Sequence, residues 1–321
     1  MKDYSSTHLP IKTAVLFIVF NRPNTTSRVF EAIRKVRPPR LYVASDGPRA
    51  DHNGEDRKVA KVREIATAVD WPCEVKTLFR DENFGCKYGP ETGISWFFEH
   101  EEQGIILEDD CLPHPDFFSF CESLLDRYAT DESVLAITGN NFQNGQQRGE
   151  ASYYFSKYFH CWGWATWRRA WKHYQGDLPF WPEWSQSDDW RAKTPDPVER
   201  RYWSKIAQAV ISKKVDSWAY PWLLSCIYAC GLTATPNKNL VANIGFGSDS
   251  THTGDEASPF SNMAVHSIGK LIHPKKILQD VAADRYDFDW QFGGKTMRFP
   301  YSMARTIKNF LKYSLGFFKF T

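Results

Sequence analysis

Hydrophobic positions along the first 140 residues fall into short runs closed by polar residues and separated by amphipathic stretches. Residues 13–20 are β-branched and aromatic, the signature of a buried strand, and they stop at Asn21-Arg22-Pro23. Asn24 offers an N-cap to a helical stretch over residues 25–36, which Pro38 and Pro39 end. The alternation then repeats. A strand over 41–45 closes on Asp46-Gly47-Pro48 before a charged helix over about 55–69, and a strand over 74–79 leads through the loop Arg80-Asp81-Glu82-Asn83-Phe84-Gly85 to a helix over 91–102. A fourth apolar run, Gly104-Ile105-Ile106-Leu107, breaks off into Glu108-Asp109-Asp110, and a helix over 117–128 and a strand over 134–138 follow. Strands alternating with helices over short connections predict an α/β protein whose mostly parallel central sheet is flanked by helices.

In such a sheet the loops at the carboxyl ends of the strands converge, and ligands bind in the crevice between them. Four polar strand ends meet there on this reading: Asn21-Arg22-Pro23, Ser45-Asp46-Gly47, Arg80-Asp81 and Glu108-Asp109-Asp110. Acids after a strand also solvate turns or cap helices, so the triplet gains meaning from the other three ends. Three carboxylates behind a buried strand need a divalent cation or several protons to offset them. A diphosphate leaves more readily when Mg²⁺ or Mn²⁺ bridges its oxygens, and that cation needs only one or two protein carboxylates. Side chains of Asp109 and Asp110 diverge, so Asp110 is expected on the metal and Asp109 toward ribose hydroxyls, with Glu108 supporting the turn. His252, in the Gly, Ser and Thr-rich loop over 243–253, is the candidate further ligand.

Past residue 140 the composition changes, because ten of the 13 Trp lie between Trp162 and Trp222. Aromatic faces beside polar side chains suit sugar rings, although Trp164, Trp167 and Trp171 at helical spacing also suit a core, and only one or two of the group are expected to touch ligand. No linker or internal repeat separates the halves. With 40 Lys and Arg against 38 Asp and Glu there is no general electrostatic case for a nucleic-acid partner. Seven cysteines without a paired CxxC arrangement fit a reducing compartment. The N-terminal residues lack a signal-peptide layout and no apolar run reaches the roughly 18–20 residues of a membrane span, so the expected location is cytoplasmic.

At these residues the chain resembles a known family. The strand ending in Asn21-Arg22-Pro23, the Ser45-Asp46-Gly47 turn, the loop Arg80 to Cys86, the motif Leu107-Glu108-Asp109-Asp110 and Trp162-Gly163-Trp164-Ala165-Thr166-Trp167 together look like a GT-A-fold glycosyltransferase with a Rossmann-like sheet. The order is similar to bacterial nucleotide-diphospho-sugar transferases related to glycosyltransferase family two. The acidic motif resembles that of the N-acetylglucosaminyltransferase I group. The likeness covers about residues 13–255 and departs from Asp-X-Asp in reading Glu-Asp-Asp. It implies a catalytic domain over 1–260, with a donor half over about 13–140 and an acceptor half over about 141–260, then a C-terminal extension over 261–321. Asn21, Arg22, Asp46, Arg80, Asn83, Gly85 and Asp109 would hold the nucleotide sugar, Asp46 near the base. Asp110 and His252 would hold Mn²⁺ or Mg²⁺, and Trp162, Gly163, Trp164 and Arg168 would face the donor sugar or the acceptor.

An inverting transfer also requires a base for the acceptor hydroxyl. Asp216, ahead of the apolar helix from Trp218 to Cys230, resembles the position from which such enzymes supply it, and it equally suits a helix N-cap. Asp177, Glu183, Asp188 and Asp189 are fallback bases. The partners implied are a nucleotide-diphosphate sugar, with UDP-sugars favoured, and a saccharide or lipid-linked acceptor in bacterial surface polysaccharide or glycoconjugate synthesis. Residues 305–320 mix basic and large apolar side chains, which suits either a docked terminal helix or peripheral contact with the inner face of a membrane. The alternatives are a sugar-phosphate nucleotidyltransferase, whose Gly-rich triphosphate loop the stretch Asn21 to Thr25 lacks, and a non-catalytic carbohydrate-binding protein.

Overall fold

Each apolar run of the first half becomes a strand of one sheet in the computed structural model, which describes residues 10–247 and 258–301. His252 and the basic and apolar tail over 305–320 lie outside the described residues. Three β-α units open the chain: β1 (Val15–Val19) and α1 (Pro23–Val36), β2 (Arg40–Ser45) and α2 (Glu55–Ala66), β3 (Glu74–Phe79) and α3 (Gly85–His100). Next come β4 (Gln103–Glu108), β5 (Cys111–Pro113), α4 (Pro115–Arg127), β6 (Val134–Thr138), β7 (Tyr153–Ser156) and β8 (Trp164–Trp167). Helices α5 (Arg168–Trp171), α6 (Trp181–Trp184), α7 (Asp188–Lys193), α8 (Pro197–Ile211) and α9 (Ala219–Tyr228) precede β9 (Leu232–Pro236) and β10 (Val241–Asn243). Helices α10 (Val281–Trp290) and α11 (Gly294–Met297) close the described chain.

The α/β expectation holds. Eight strands form a sheet in the order β3-β2-β1-β4-β8-β6-β9-β7, with six running one way and β8 and β7 against them. Strand β1 sits between β2 and β4, pairing Val15 with Leu41 on one side and Ile105 on the other, and Val15, Leu41 and Ile105 are all fully buried. Helix α1 buries Thr26, Val29, Phe30, Ile33 and Val36, a stripe with the three-and-four spacing of an amphipathic helix.

Two helix starts differ from the sequence reading. Pro23 occupies the first turn of α1 and Arg22 is its N-cap, so Asn24 lies inside the helix and caps nothing. Helix α3 begins at Gly85 rather than Glu91, with Pro90 inside it. Its opening N–H groups find an acceptor from a distant loop, described below, which local sequence could not signal.

The Trp-rich segment departs further. Trp164 and Trp167 belong not to a helix but to β8, inserted antiparallel between β4 and β6 with Ile105 opposite Ala165. Residues three apart on a strand face opposite sides, and here both sides are covered. Trp164 stacks on Trp218 at 5.3 Å, whereas the Trp167 indole donates to the Leu125 carbonyl of α4. The described stretch beyond residue 260 packs against this body. Gln279 bridges Phe155 on the edge strand β7, the Asp280 N–H donates to the Phe155 carbonyl, and Phe288 of α10 joins the core. Among the described residues no helix is long and apolar enough to cross a membrane.

Candidate functional site

The four polar strand ends do meet. Asn21 and Arg22, Asp46, Arg80 with Asn83 and Gly85, and the acids Glu108, Asp109 and Asp110 line one crevice of about 620 Å³ at the carboxyl edge of the sheet. Parallel strands β1 to β4 in adjacent positions bring these ends together, because all four chains leave the sheet on the same side.

Most of these side chains also hold one another. The Asp46 carboxylate is buried, accepts from the Phe84 N–H at 2.8 Å and pairs with Arg80 at 3.1 Å. Burial pushes its pKa up against those partners. Arg80 extends on to Thr92, while the Asn83 amide donates to the Gly47 carbonyl and receives the Gly85 N–H. Asn21 donates to Glu55 at 2.7 Å, and Arg49 grips the same carboxylate. Burial alone would raise Glu55, but the Arg49 and Asn21 hydrogen bonds outweigh it and bring the group down to about 2.

The acidic end is short of positive charge. Arg22 pairs with Asp110 at 2.9 Å, and Asp109 accepts the Phe20 N–H at 3.0 Å on the β1 side. Glu108 instead takes the Trp218 indole N–H at 3.1 Å, on the side of the second half, so Glu108 and Asp109 diverge to opposite faces. Burial and the neighbouring Asp110 charge push both Glu108 and Asp109 well above the carboxylate range. Among the described residues only one guanidinium, that of Arg22, pairs with any of these three carboxylates, of which Asp109 and Asp110 are buried and Glu108 half-buried, so the cluster either keeps protons or takes a cation. Among the described residues no three His, Cys, Asp or Glu side chains form a ready-made metal cage. The donors are hard carboxylate oxygens, which suit Mg²⁺ or Mn²⁺ completed by water and phosphate rather than a closed protein site. The group fits these residues.

The opposite wall comes from the second half. Trp162 lines it, edge-on to Phe142 at 5.4 Å and Phe246 at 5.8 Å. Of the ten clustered Trp only Trp162 and Trp218 reach the crevice. Trp164 has no exposed surface and is a core residue, which corrects its assignment to sugar binding. Arg168 is also corrected. It follows Trp167, which pairs with Gln103 at the amino end of β4, and its guanidinium donates to the Glu101 carbonyl, the whole length of the strand away from Glu108. Gly163 does not line the crevice; φ +68° and Val241 2.8 Å from where a Cβ would stand make it a turn that only glycine fits.

Asp216 does line the crevice, yet its carboxylate is occupied. It accepts from the Cys86 and Lys87 N–H groups at 2.8 Å each and so caps α3 from 130 residues away, while α9 begins without a side-chain cap. Gly85, at φ +77°, leaves room for it, since a Cβ there would lie 2.7 Å from the Asp216 oxygen. The fallback acids Asp177, Glu183, Asp188 and Asp189 do not line the crevice, and Asp177 pairs with Lys87 at 2.6 Å.

Several lining residues escaped the sequence reading: Asn140, Phe142, His160, Gln291 and Phe292. Asn140 was findable, because β6 runs parallel to β1 and Asn140-Asn141 ends it just as Asn21-Arg22 ends β1. Gln291 and Phe292 carried no signal, since their position depends on how the chain returns after residue 260. The side-chain oxygens of Asn140 and Gln291 are sealed from solvent without a hydrogen-bond donor. Each such unpaired acceptor costs about 1–3 kcal/mol.

No protein-family model matches the chain, and no curated protein matches it. Among solved structures, mouse xyloside xylosyltransferase 1 in its apo form aligns at 11% identity over 68% of this chain and 81% of that chain, with a TM-score of 0.33. A UDP-glucose pyrophosphorylase complexed with UDP-glucose aligns at 12% identity over 46% of this chain, with a TM-score of 0.27. The alignment spans 62% of the pyrophosphorylase. A further pyrophosphorylase structure, without ligand, aligns at a TM-score of 0.26. At such values the likenesses carry no argument about chemistry, which rests on the crevice itself.

Proposed function

We propose that this chain is a cation-dependent glycosyltransferase that moves a sugar from a nucleotide-diphosphate donor, UDP-sugars favoured, to a hydroxyl of a saccharide or glycolipid, with inversion. One observation carries the reading: a strand end bearing Glu108, Asp109 and Asp110 faces an aromatic wall formed by Phe142, Trp162 and Trp218 across one crevice. The acidic side suits a metal-bound diphosphate, and the aromatic side suits sugar rings and their hydroxyls.

In this account Asp110 holds Mn²⁺ or Mg²⁺, and the cation supplies neutralisation of charge on the departing diphosphate. Arg22, already on Asp110, adds a fixed positive charge where the diphosphate would lie. Asp109 orients ribose, and Asp46 with Arg80, Asn83 and Gly85 shapes the floor beneath the nucleoside. Glu108 ties the acid turn to Trp218 and thereby to the acceptor wall. A role in bacterial surface glycoconjugate synthesis and a cytoplasmic setting at the inner face of a membrane belong to the same proposal.

Calorimetry with UDP, GDP and dTDP in the presence of Mn²⁺ tests it. Binding of at least one nucleotide, dependent on Mn²⁺ and abolished in Asp110→Ala, is expected. Absence of binding to all three would defeat the reading, and saccharide binding without nucleotide binding would favour a carbohydrate-binding protein instead.

A further inference from the structure

The crevice holds a histidine that the account so far has not used. His160 is 4% exposed and lines the wall opposite the acids. Its Nε2 lies 3.3 Å from the Oδ2 of Asp287, which is fully buried on α10. Asp287 is itself fixed, because its Oδ1 accepts the Gln143 amide at 2.5 Å. The imidazole is held edge-on by Phe142 at 4.7 Å and flanked by the near-parallel ring of Phe292 at 6.4 Å. His160 lines the crevice, and its Nδ1 makes no hydrogen bond to a described residue. Asn140 and Gln291, whose oxygens lack donors, stand on the same wall with Trp162.

We propose that His160 is the base that takes the proton of the acceptor hydroxyl and that Asp287 is its positioning residue. The inference rests on the glycosyltransferase reading and names the acceptor side of that same site. A buried carboxylate on Nε2 keeps the proton there, leaving the lone pair on Nδ1, and it stabilises the imidazolium that forms. Asp216, the other acid on this side, spends both oxygens on the α3 N–H groups. The step balances. The acceptor oxygen bonds to the anomeric carbon as its proton passes to Nδ1, the bond from that carbon to the diphosphate oxygen breaks, and its electron pair leaves with the nucleoside diphosphate. The imidazolium then returns its proton to water.

The test compares the full chain with His160→Gln, His160→Gly and Asp287→Asn. Calorimetry with UDP, GDP and dTDP in the presence of Mn²⁺ is read first, then UDP release from a UDP-sugar panel with methyl glycosides of glucose, galactose, mannose and N-acetylglucosamine as acceptor probes. Nucleotide affinity should match wild type in all three variants, while kcat falls about 10²–10⁴-fold in His160→Gln at unchanged donor KM. Added imidazole should restore at least about tenfold of the loss in His160→Gly, which lost packing alone would not allow. Asp287→Asn should lower kcat by about 10–10²-fold without moving donor KM. Turnover within about threefold of wild type in His160→Gln, or a His160→Gly variant that binds UDP and ignores imidazole, would overturn the proposal. Failure of wild type to bind any of UDP, GDP and dTDP with Mn²⁺ would show in the calorimetry alone and would remove the underlying reading, and the assignment with it; if GDP or dTDP binds instead of UDP, the sugar panel carries that nucleotide.

Discussion

Substituting Asp216 separates its two possible jobs, capping a helix and accepting a proton. Its carboxylate receives the Cys86 and Lys87 N–H groups at 2.8 Å each, at the positive end of α3. Loss of a capping acid costs about 0.5–2 kcal/mol, and the exposed setting of Asp216 lets water replace part of it, so Asp216→Ala should lose about 0.5–1 kcal/mol. Asp216→Asn keeps one acceptor oxygen and should lose about half as much. Urea unfolding followed by circular dichroism reads both values. If His160 rather than Asp216 takes the proton, Asp216→Asn should retain UDP release within about threefold, whereas loss of a general base costs about 10²–10⁴. A stable Asp216→Asn that binds nucleotide normally and yet loses turnover a hundredfold or more (about 10²,) would refute this reasoning.

Two further substitutions probe the fold. Trp164→Ala removes a fully buried indole that stacks on Trp218 and meets Phe159 edge-on, and should cost about 3–5 kcal/mol in urea unfolding. Trp164→Phe should cost less than Trp164→Ala, because the Trp164 indole N–H has no partner and its removal offsets part of the lost packing. Stability should also depend on Asp284, whose carboxyl burial raises to about 7 despite hydrogen bonds from Ser156 and Gln279. A raised folded pKa means the native state holds the proton longer, so this contribution is complete below about pH 4 and is lost as pH rises through about 7. The loss is at most on the order of 4 kcal/mol. Asp284→Asn should flatten that part of the pH–stability curve, and an unchanged slope would contradict the assignment.

The first half of this molecule was legible because its logic is local. A buried parallel strand reads as an apolar run, and its carboxyl end reads as the first polar residues after it, so Asn21, Asp46, Arg80 and Asp110 could be placed together before any coordinates. The second half obeys no such rule. Spacing of three between Trp164 and Trp167 suits one face of a helix, but it also suits a strand covered on both sides, and the covering helices α4 and α9 decide which. Asp216 caps a helix it does not belong to, and Asp287 reaches His160 across 127 residues. Such contacts are set by how the chain returns to the sheet, and one-dimensional pattern does not carry them.

On the proposed function, Asp110 and its neighbours hold a cation beneath a nucleoside diphosphate. The most direct test is a crystal structure grown with UDP and Mn²⁺, with data collected at the manganese absorption edge. The account predicts an anomalous peak at coordination distance, about 2.0–2.2 Å, from an Asp110 oxygen. It also predicts the diphosphate on the same ion and the uracil toward Asp46. A diphosphate bound away from Glu108-Asp109-Asp110, or a nucleotide seated in the crevice with no manganese at Asp110, would contradict it.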